Sequence, residues 1–143
     1  MSKKVLLLLA ILVMASLVLS ACQPAAAPAE EKFKVCQVTD TGGIDDKSFN
    51  ATAWKGAEDA VKELGVEAKY LESQEVADYE KNLNAFIEEK CDIIITVGFL
   101  LGDGTKASAE TNPDFKFSIV DYSYDPTIPN VVGQVFQTDE AAF

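Results

Sequence analysis

Two hydrophobic patterns alternate along this chain from about residue 33 onwards. Short runs of apolar, largely β-branched residues are typical of buried strands, and longer segments with apolar residues every three or four positions are typical of helices packed on one side. Strands are predicted at Phe33–Val38, Val66–Leu71, Asp92–Val97, Phe115–Val120 and Val131–Phe136. Helices are predicted at Ser48–Leu64, from Asp78, at about Asp103–Thr111 and from Thr138.

The first predicted helix has the clearest amphipathic pattern. Its apolar residues share one face and are Ala53, Trp54, Ala57, Ala60, Val61 and Leu64. We expect this face to be buried and Gly65 to end the helix. Asp45, Asp46 and Ser48 are expected to cap its start, and Asp78 is expected to be the N-cap of the second helix.

The alternation of strands and helices predicts the fold class. Strands that recur about every thirty residues with a helix between them are typical of right-handed crossover units. The run Asp92–Val97 has no polar alternation, as expected for a strand covered by helices on both faces. The prediction is a doubly wound α/β domain with a parallel sheet, whose post-strand loops meet at one edge.

The first twenty-two residues have the pattern of an export signal. Lys3 and Lys4 precede an apolar run from Val5 to Leu19, which ends in small residues before Cys22. The ending resembles the lipobox of bacterial lipoproteins, which implies cleavage before Cys22 and lipidation of its sulfur. We therefore predict a signal peptide over residues 1–21, a lipidated cysteine with a flexible tether over 22–32, and a folded lobe over 33–143.

The composition of the chain argues against nucleic acid as a partner. The chain has 143 residues, a net charge of −11 and no histidine, and all its basic residues are lysines. Such acidity argues against nucleic acid as a partner, because binding to its backbone needs clustered positive charge. Export permits a disulfide, but Cys36 lies in an apolar run where a small hydrophobic residue is expected, so the favoured interpretation is that it is not bonded to Cys91.

The loop from Asp40 to Asn50 carries most of the candidate chemistry. Its paired glycines lack the spacing of a phosphate-binding loop. Asp45 and Asp46 resemble part of the calcium loop of nucleoside hydrolases, but the first aspartate of that pattern is absent. Binding of a neutral small molecule fits best, because Asp40 accepts hydrogen bonds, Asn50 donates and accepts them, and Phe49 can stack on a ring. Phe49 could alternatively pack as a hydrophobic staple at the helix entry.

A family resemblance rests on these residues together with downstream ones. The motif Gly43-Ile44-Asp45-Asp46-Lys47-Ser48-Phe49-Asn50 follows Val38-Thr39-Asp40, and Trp54, Gly56, Val97-Gly98-Phe99 and Val120-Asp121 come after it. The chain thereby resembles the basic membrane protein family of ABC-transporter substrate-binding lipoproteins, which are similar to purine nucleoside receptor A. The resemblance extends from Phe33 to Phe143.

The resemblance implies the first lobe of a type I periplasmic-binding-protein fold, truncated before a second lobe. It implies that Phe49 stacks on a nucleoside base, that Asp40 and Asp121 accept hydrogen bonds from the nucleoside, and that Asn50 lies nearby. Gly98 and Phe99 would form a further part of the site. No catalysis, metal or cofactor is implied.

The partners implied are a purine nucleoside, an ABC permease and, through the lipid on Cys22, the extracytoplasmic face of a bacterial cell membrane. Two alternatives remain open. One is a lipid-anchored sensor or interaction module with the same fold, and the other, a metal-dependent nucleoside hydrolase, fits less well. Other cargoes, such as riboflavin or a sugar, also remain open.

Overall fold

The computed structural model describes residue 5 and residues 31–141, so the predicted signal peptide, the lipidated Cys22 and most of the tether lie outside the described residues. The strands are β1 Lys34–Val38, β2 Glu67–Leu71, β3 Ile93–Val97, β4 Phe117–Val120 and β5 Val131–Gln134. The helices are α1 Phe49–Leu64, α2 Asp78–Glu88, α3 Gly102–Thr111 and α4 Thr138–Ala141, with a 3-10 turn at Phe99–Leu101. Each predicted strand and helix is confirmed.

The five strands form one sheet in the order β2-β1-β3-β4-β5, and all pairs are parallel. The order reverses between β1 and β3, where Val35 pairs with Ile93. Chains that leave neighbouring strands in opposite directions open a crevice at the carboxyl edge of the sheet, and ligands bind there in folds of this class. The doubly wound parallel α/β prediction is therefore confirmed.

One side of the sheet, which we call the closed face, is covered by α2 and α3. It carries Cys36 and Val38 of β1, Ile94 of β3, and Phe117 and Ile119 of β4, all nearly inaccessible to solvent. The buried side chains that pack on them include Tyr79, Leu83, Phe86, Leu101 and Ala109. This interface is the hydrophobic core, because it contains most of the large, fully buried side chains.

A disulfide joins Cys36 to Cys91 across the closed face. The expectation of an unbonded Cys36 was therefore wrong. Cys91 lies at the entry to β3, and β3 pairs with β1 beside Cys36, which brings the two cysteines together although 55 positions separate them in the chain. Both side chains are buried, so the bond lies inside the core.

The opposite side of the sheet, which we call the groove face, is covered only in part. It carries Val35, Gln37, Ile93, Ile95 and Val120, and α1 lies over it. An apolar groove of about 740 Å³ remains between α1 and the sheet.

This open side corrects the prediction for α1. Ala57 is buried as expected, and Trp54 is half-buried and packs edge-on against Tyr70. Val61 and Leu64, however, are exposed, Leu64 by 75%. The amphipathic pattern defines a face, but a face is buried only where a neighbour covers it.

The helix ends test the predicted caps. Gly65 ends α1 in the left-handed conformation at φ 71°, and its N–H donates to the carbonyl of Val61, as expected. Ser48 precedes α1 without a side-chain capping bond, and the cap is formed by Asp46 instead. Asp78 accepts from the N–H groups of Gln74 and Glu75, so it closes the preceding turn rather than capping α2, whose N-cap position is Ala77.

Candidate functional site

The loops after β1 and β3 meet at the point where the strand order reverses. Asp40 is half-buried at the end of β1, and Gly98 is the first residue after β3. A Cβ atom at position 98 would lie only 2.9 Å from Oδ2 of Asp40. Gly98 also has φ 99°, which disfavours residues with a side chain. A glycine at this position therefore lets the Asp40 carboxylate rest against the backbone of the next loop.

The two carboxylate oxygens of Asp40 have different surroundings. Oδ1 accepts from the N–H of Gly42 at 2.9 Å and from Nδ2 of Asn50 at 2.7 Å. Oδ2 faces Gly98 and accepts no hydrogen bond from the described residues. A carboxylate with one oxygen held by its own loop and one oxygen free can accept a hydrogen bond from a hydroxyl or amine of a ligand.

Asn50 lies beneath this carboxylate rather than on the surface, and it is only 1% exposed. Its Nδ2 donates to Asp40 and, at 3.2 Å, to Oδ2 of Asp46. The backbone carbonyl of Asn50 accepts a hydrogen bond from Nε2 of Gln37 at 3.1 Å. A direct contact between Asn50 and a ligand stays a prediction.

Asp46 caps the first turn of α1. It accepts hydrogen bonds from the N–H groups of Ser48, Asn50 and Ala51 at 2.9 to 3.0 Å. Burial opposes ionisation of Asp46, but these hydrogen bonds and the one from the Asn50 side chain outweigh it, so the pKa of Asp46 is lowered. The predicted capping role of Asp46 is thus confirmed, and the helix start beside Asp40 is held by an ionised carboxylate at neutral pH.

Phe49 presents an exposed aromatic ring at the start of α1. The ring is 44% exposed, and it packs edge-on against Phe136 at a centroid distance of 5.7 Å. The two rings line the end of the groove near the carboxyl edge of the sheet. An exposed aromatic ring can stack against a flat ligand ring, and the stacking role of Phe49 stays a prediction.

Phe99 lies in the loop after β3, and Asp121 directly follows β4. Asp121 is half-buried, adopts the left-handed conformation at φ 64°, and its N–H donates to the carbonyl of Gln134. The N–H of Gly98 donates to the carbonyl of Val120, which places the ends of β3 and β4 side by side. Phe99 is 60% exposed on the 3-10 turn. The fold therefore brings the predicted residues to one edge of the sheet, but Asp121 and Asp40 form no hydrogen bond with each other.

Three residues that bind or neighbour the segment from Asp40 to Asn50 were not predicted from the sequence. Glu72 follows β2 and accepts a hydrogen bond from the N–H of Ile44 at 2.8 Å. This bond connects the outer part of the Asp40 loop to the end of β2. Tyr79 is buried; its burial and the charge of Asp40 raise the pKa of its phenol. Gln37 is fully buried within β1. A polar residue inside an apolar strand was the only available signal for Gln37.

The chemistry available at this edge is acceptance of hydrogen bonds and aromatic packing. Carboxylates dominate, and the nearest lysine in the loop, Lys47, is exposed. Within the described range, no cluster of three or more acidic, histidine or cysteine side chains is placed to hold a metal ion. In the part of the chain that the structure describes, every helix is too short or too polar to span a lipid bilayer.

Comparison with solved structures identifies the class of protein that this fold defines. An ABC transporter solute-binding protein from Aeropyrum pernix K1 superposes with a TM-score of 0.71 and 32% identity, over 77% of this chain and 30% of that one. The chain thus has the α/β fold of a lobe of periplasmic binding proteins.

Sequence comparison identifies the family. The family model described as Bmp, ABC transporter substrate-binding protein PnrA-like, matches residues 33–143, and the chain belongs to this family. The CD4+ T-cell-stimulating antigen of Listeria monocytogenes is 37% identical over 116 residues, 78% of this chain and 32% of the relative. The ABC transporter nucleoside-binding protein BmpA of Lactococcus lactis is 32% identical over 152 residues, 100% of this chain and 43% of the relative. The chain therefore spans only 32% to 43% of the length of these relatives.

Proposed function

We propose that this protein is the substrate-binding lipoprotein of an ABC importer and that it binds a purine nucleoside in a cleft between two lobes. The observation that carries the proposal is the Asp40 carboxylate. One of its oxygens is held by Gly42 and Asn50, and the other is free, at the sheet edge where ligands bind in this fold class. Membership of the family and the printed name of the Lactococcus relative support a nucleoside as the cargo.

The residues have distinct proposed roles. Phe49 stacks on the base, because its ring is exposed at the start of α1. Asp40 and Asp121 accept hydrogen bonds from hydroxyl or amine groups of the nucleoside. Gly98 and Phe99 form the adjoining wall. An acceptor-rich, acidic edge favours a neutral or cationic ligand over an anionic one.

Cargo transport requires an anchor and a second lobe. Residues 1–21 act as the signal peptide, Cys22 carries the lipid, and residues 22–32 tether the lobe formed by 33–143 to the extracytoplasmic face of the cell membrane. Ligand held between this lobe and a second one favours the closed state, because the contacts of both lobes are made only there, and the closed form docks on the permease.

Calorimetry with inosine, adenosine and guanosine tests the site, using the longer form wherever the encoded protein extends beyond Phe143. We expect affinity to fall in Phe49→Ala and in Asp121→Ala and to be unchanged in Phe33→Ala, a control at the other end of β1. Unchanged affinity in both site variants would refute the assignment. Tight binding of riboflavin or a sugar, with no nucleoside binding, would replace the cargo but keep the site.

Residues 23–143 alone are expected to bind nucleosides weakly or not at all. A lobe that provides only one wall of a cleft leaves most of the ligand surface in water. Titration of this segment at the concentrations used for the longer form checks the expectation. Equal affinity would show that the second lobe contributes nothing to binding.

A further inference from the structure

We infer that Asn50 is a positioning residue that fixes the Asp40 carboxylate with one oxygen turned to the ligand, and that Gln37 holds Asn50 in place. The inference rests on the proposed function, since it gives Asp40 the ligand contact. It assigns Asn50 a role beneath the site, and it brings in Gln37, a residue of the sheet interior.

Hydrogen bonds of both the backbone and the side chain fix the orientation of Asn50. Its backbone N–H donates to Asp46 and its carbonyl accepts from Gln37. The side-chain nitrogen then has two protons to donate, and it has two acceptors, Asp40 at 2.7 Å and Asp46 at 3.2 Å. With both donors engaged and the residue 1% exposed, little of Asn50 is left for a ligand.

Asn50 also reduces the electrostatic repulsion between two neighbouring carboxylates. Asp40 and Asp46 both accept hydrogen bonds from the same amide nitrogen, so two carboxylates lie close together in a partly buried place. Like charges at such a distance repel each other. An amide donor between them offsets that repulsion and sets the rotamer of Asp40, whereas a carboxylate in the same position would add to the repulsion.

Gln37 supports Asn50 from the sheet. It is fully buried on the groove face, between apolar neighbours in β1, and its Nε2 donates to the Asn50 carbonyl. Its Oε1 has no hydrogen-bond partner among the described residues, and neither has Oδ1 of Asn50. An apolar side chain would be favoured here if packing alone mattered, because buried acceptors without partners destabilise a fold. The polar pair is explained if its role is to fix the first turn of α1 relative to β1.

The decisive variant is Asn50→Asp, with Asn84→Asp as its matched control on the exposed side of α2. We expect Asn50→Asp to weaken binding of inosine, adenosine and guanosine by roughly 10- to 100-fold at neutral pH, since a charge-assisted hydrogen bond is lost. Asn84→Asp should bind normally.

The pH profile separates positioning from general damage. The side chain at position 50 contacts the carboxylates of Asp40 and Asp46, and the other titratable groups of this region are Glu72, which binds the Asp40 loop at Ile44, and the neutral phenol of Tyr79, which lies near Asp40. A protonated aspartic acid at position 50 can again donate to Asp40, so the affinity of Asn50→Asp should recover as the pH falls, relative to the unchanged protein at each pH. A loss of affinity that is the same at every pH would overturn the inference.

A second measurement does not depend on ligand. In Asn50→Ala the Asp40 carboxylate loses the hydrogen bond that Nδ2 of Asn50 donates to Oδ1, so we expect the carboxyl ¹³C resonance of Asp40, observed in aspartate-labelled protein at neutral pH, to move from its position in the unchanged protein. Gln37→Leu should move this resonance less, because it removes the hydrogen bond to the Asn50 backbone carbonyl and leaves the Asn50 side chain in place. An unchanged Asp40 carboxyl resonance in Asn50→Ala would overturn the inference, even if Asn50→Asp failed to fold.

Asp40→Asn distinguishes the two proposals. If it binds nucleoside normally, the ligand role of Asp40 fails, and the NMR experiment alone decides whether Asn50 positions its carboxylate. If Asp40→Asn binds weakly and Asn50→Asp binds normally, the proposed function stands and the positioning role is refuted.

Discussion

The two faces of the sheet differ in how they are stabilised. The closed face is packed by α2 and α3, contains the Cys36–Cys91 disulfide, and leaves Ile94, Phe117 and Ile119 with at most 1% exposure. The groove face has α1 over it and an apolar groove of about 740 Å³. On that side, α1 is attached by hydrogen bonds at its first turn, through Asp46 and the pair of Gln37 and Asn50.

This difference separates stability from the candidate site. Burial of apolar surface is the main source of folding free energy, and most of it lies on the closed face. The candidate residues lie at the carboxyl edge, where polar contacts set geometry. We therefore expect changes to the closed face to act mainly on folding, and changes at the start of α1 to act mainly on binding.

The largest effect on stability is expected from loss of the disulfide. The bond closes a loop of 55 residues, and Cys36→Ala/Cys91→Ala should lower the free energy of unfolding by about 4 kcal/mol from the chain-entropy argument. Denaturant unfolding measures it. Cys22→Ala is the control, and equal stability of the double variant and this control would show that the bond contributes nothing.

Ile94 and Ile95 compare the two faces directly. They are neighbours in β3, but Ile94 is fully buried on the closed face and Ile95 lines the groove. Ile94→Ala should destabilise by about 3 kcal/mol, and Ile95→Ala by about 1 kcal/mol, because a partly open site loses less burial and leaves no new closed cavity. Equal losses in urea unfolding would mean that the groove face is as well packed as the closed face.

Asp46→Asn tests the polar attachment of α1. Because the pKa of Asp46 in the folded state lies below its ordinary value of 3.8, its charge stabilises the fold at higher pH and that contribution is lost as the pH falls through the folded-state value. We expect a loss of about 1 kcal/mol at neutral pH, because hydrogen bonds to a charged carboxylate are replaced by weaker ones to an amide oxygen, and a smaller loss near about pH 3. Asp45→Asn, which changes an exposed neighbour, should differ little from the unchanged protein at either pH.

The smallest effect is expected for the aromatic pair on the groove face. A double-mutant cycle of Phe49→Ala and Phe136→Ala should give a coupling of about 0.5 kcal/mol in unfolding, since the edge-packed rings are largely solvated. Phe49→Ala should nevertheless weaken nucleoside binding, and Phe136→Ala should weaken it less. A coupling as large as the loss at Ile94 would place Phe49 in the core rather than in the site.

The sequence predicted the order of strands and helices because each signal for it is local. The β-branched run of β3 and the glycine that ends α1 need no knowledge of distant residues. Asp40 could be placed at the carboxyl edge of the sheet for the same reason, since a residue that follows a parallel strand lies at that edge. The Asp78 cap was predicted wrongly because the turn at Gln74 and Glu75 competed for the same carboxylate.

The tertiary structure decided which side chains face solvent and which touch each other. Leu64 lies on the apolar face of α1 and is exposed because nothing among the described residues covers it, while Asn50 is polar and buried because Gln37 lies 13 positions earlier and reaches it. The disulfide depends on pairing between β1 and β3, across 55 positions. Local sequence determined the strands and helices, the loops that meet at the carboxyl edge of the sheet, and the candidate residues of this protein. Burial and contact are properties of two surfaces brought together, so the pairing of strands and the packing of helices decided them.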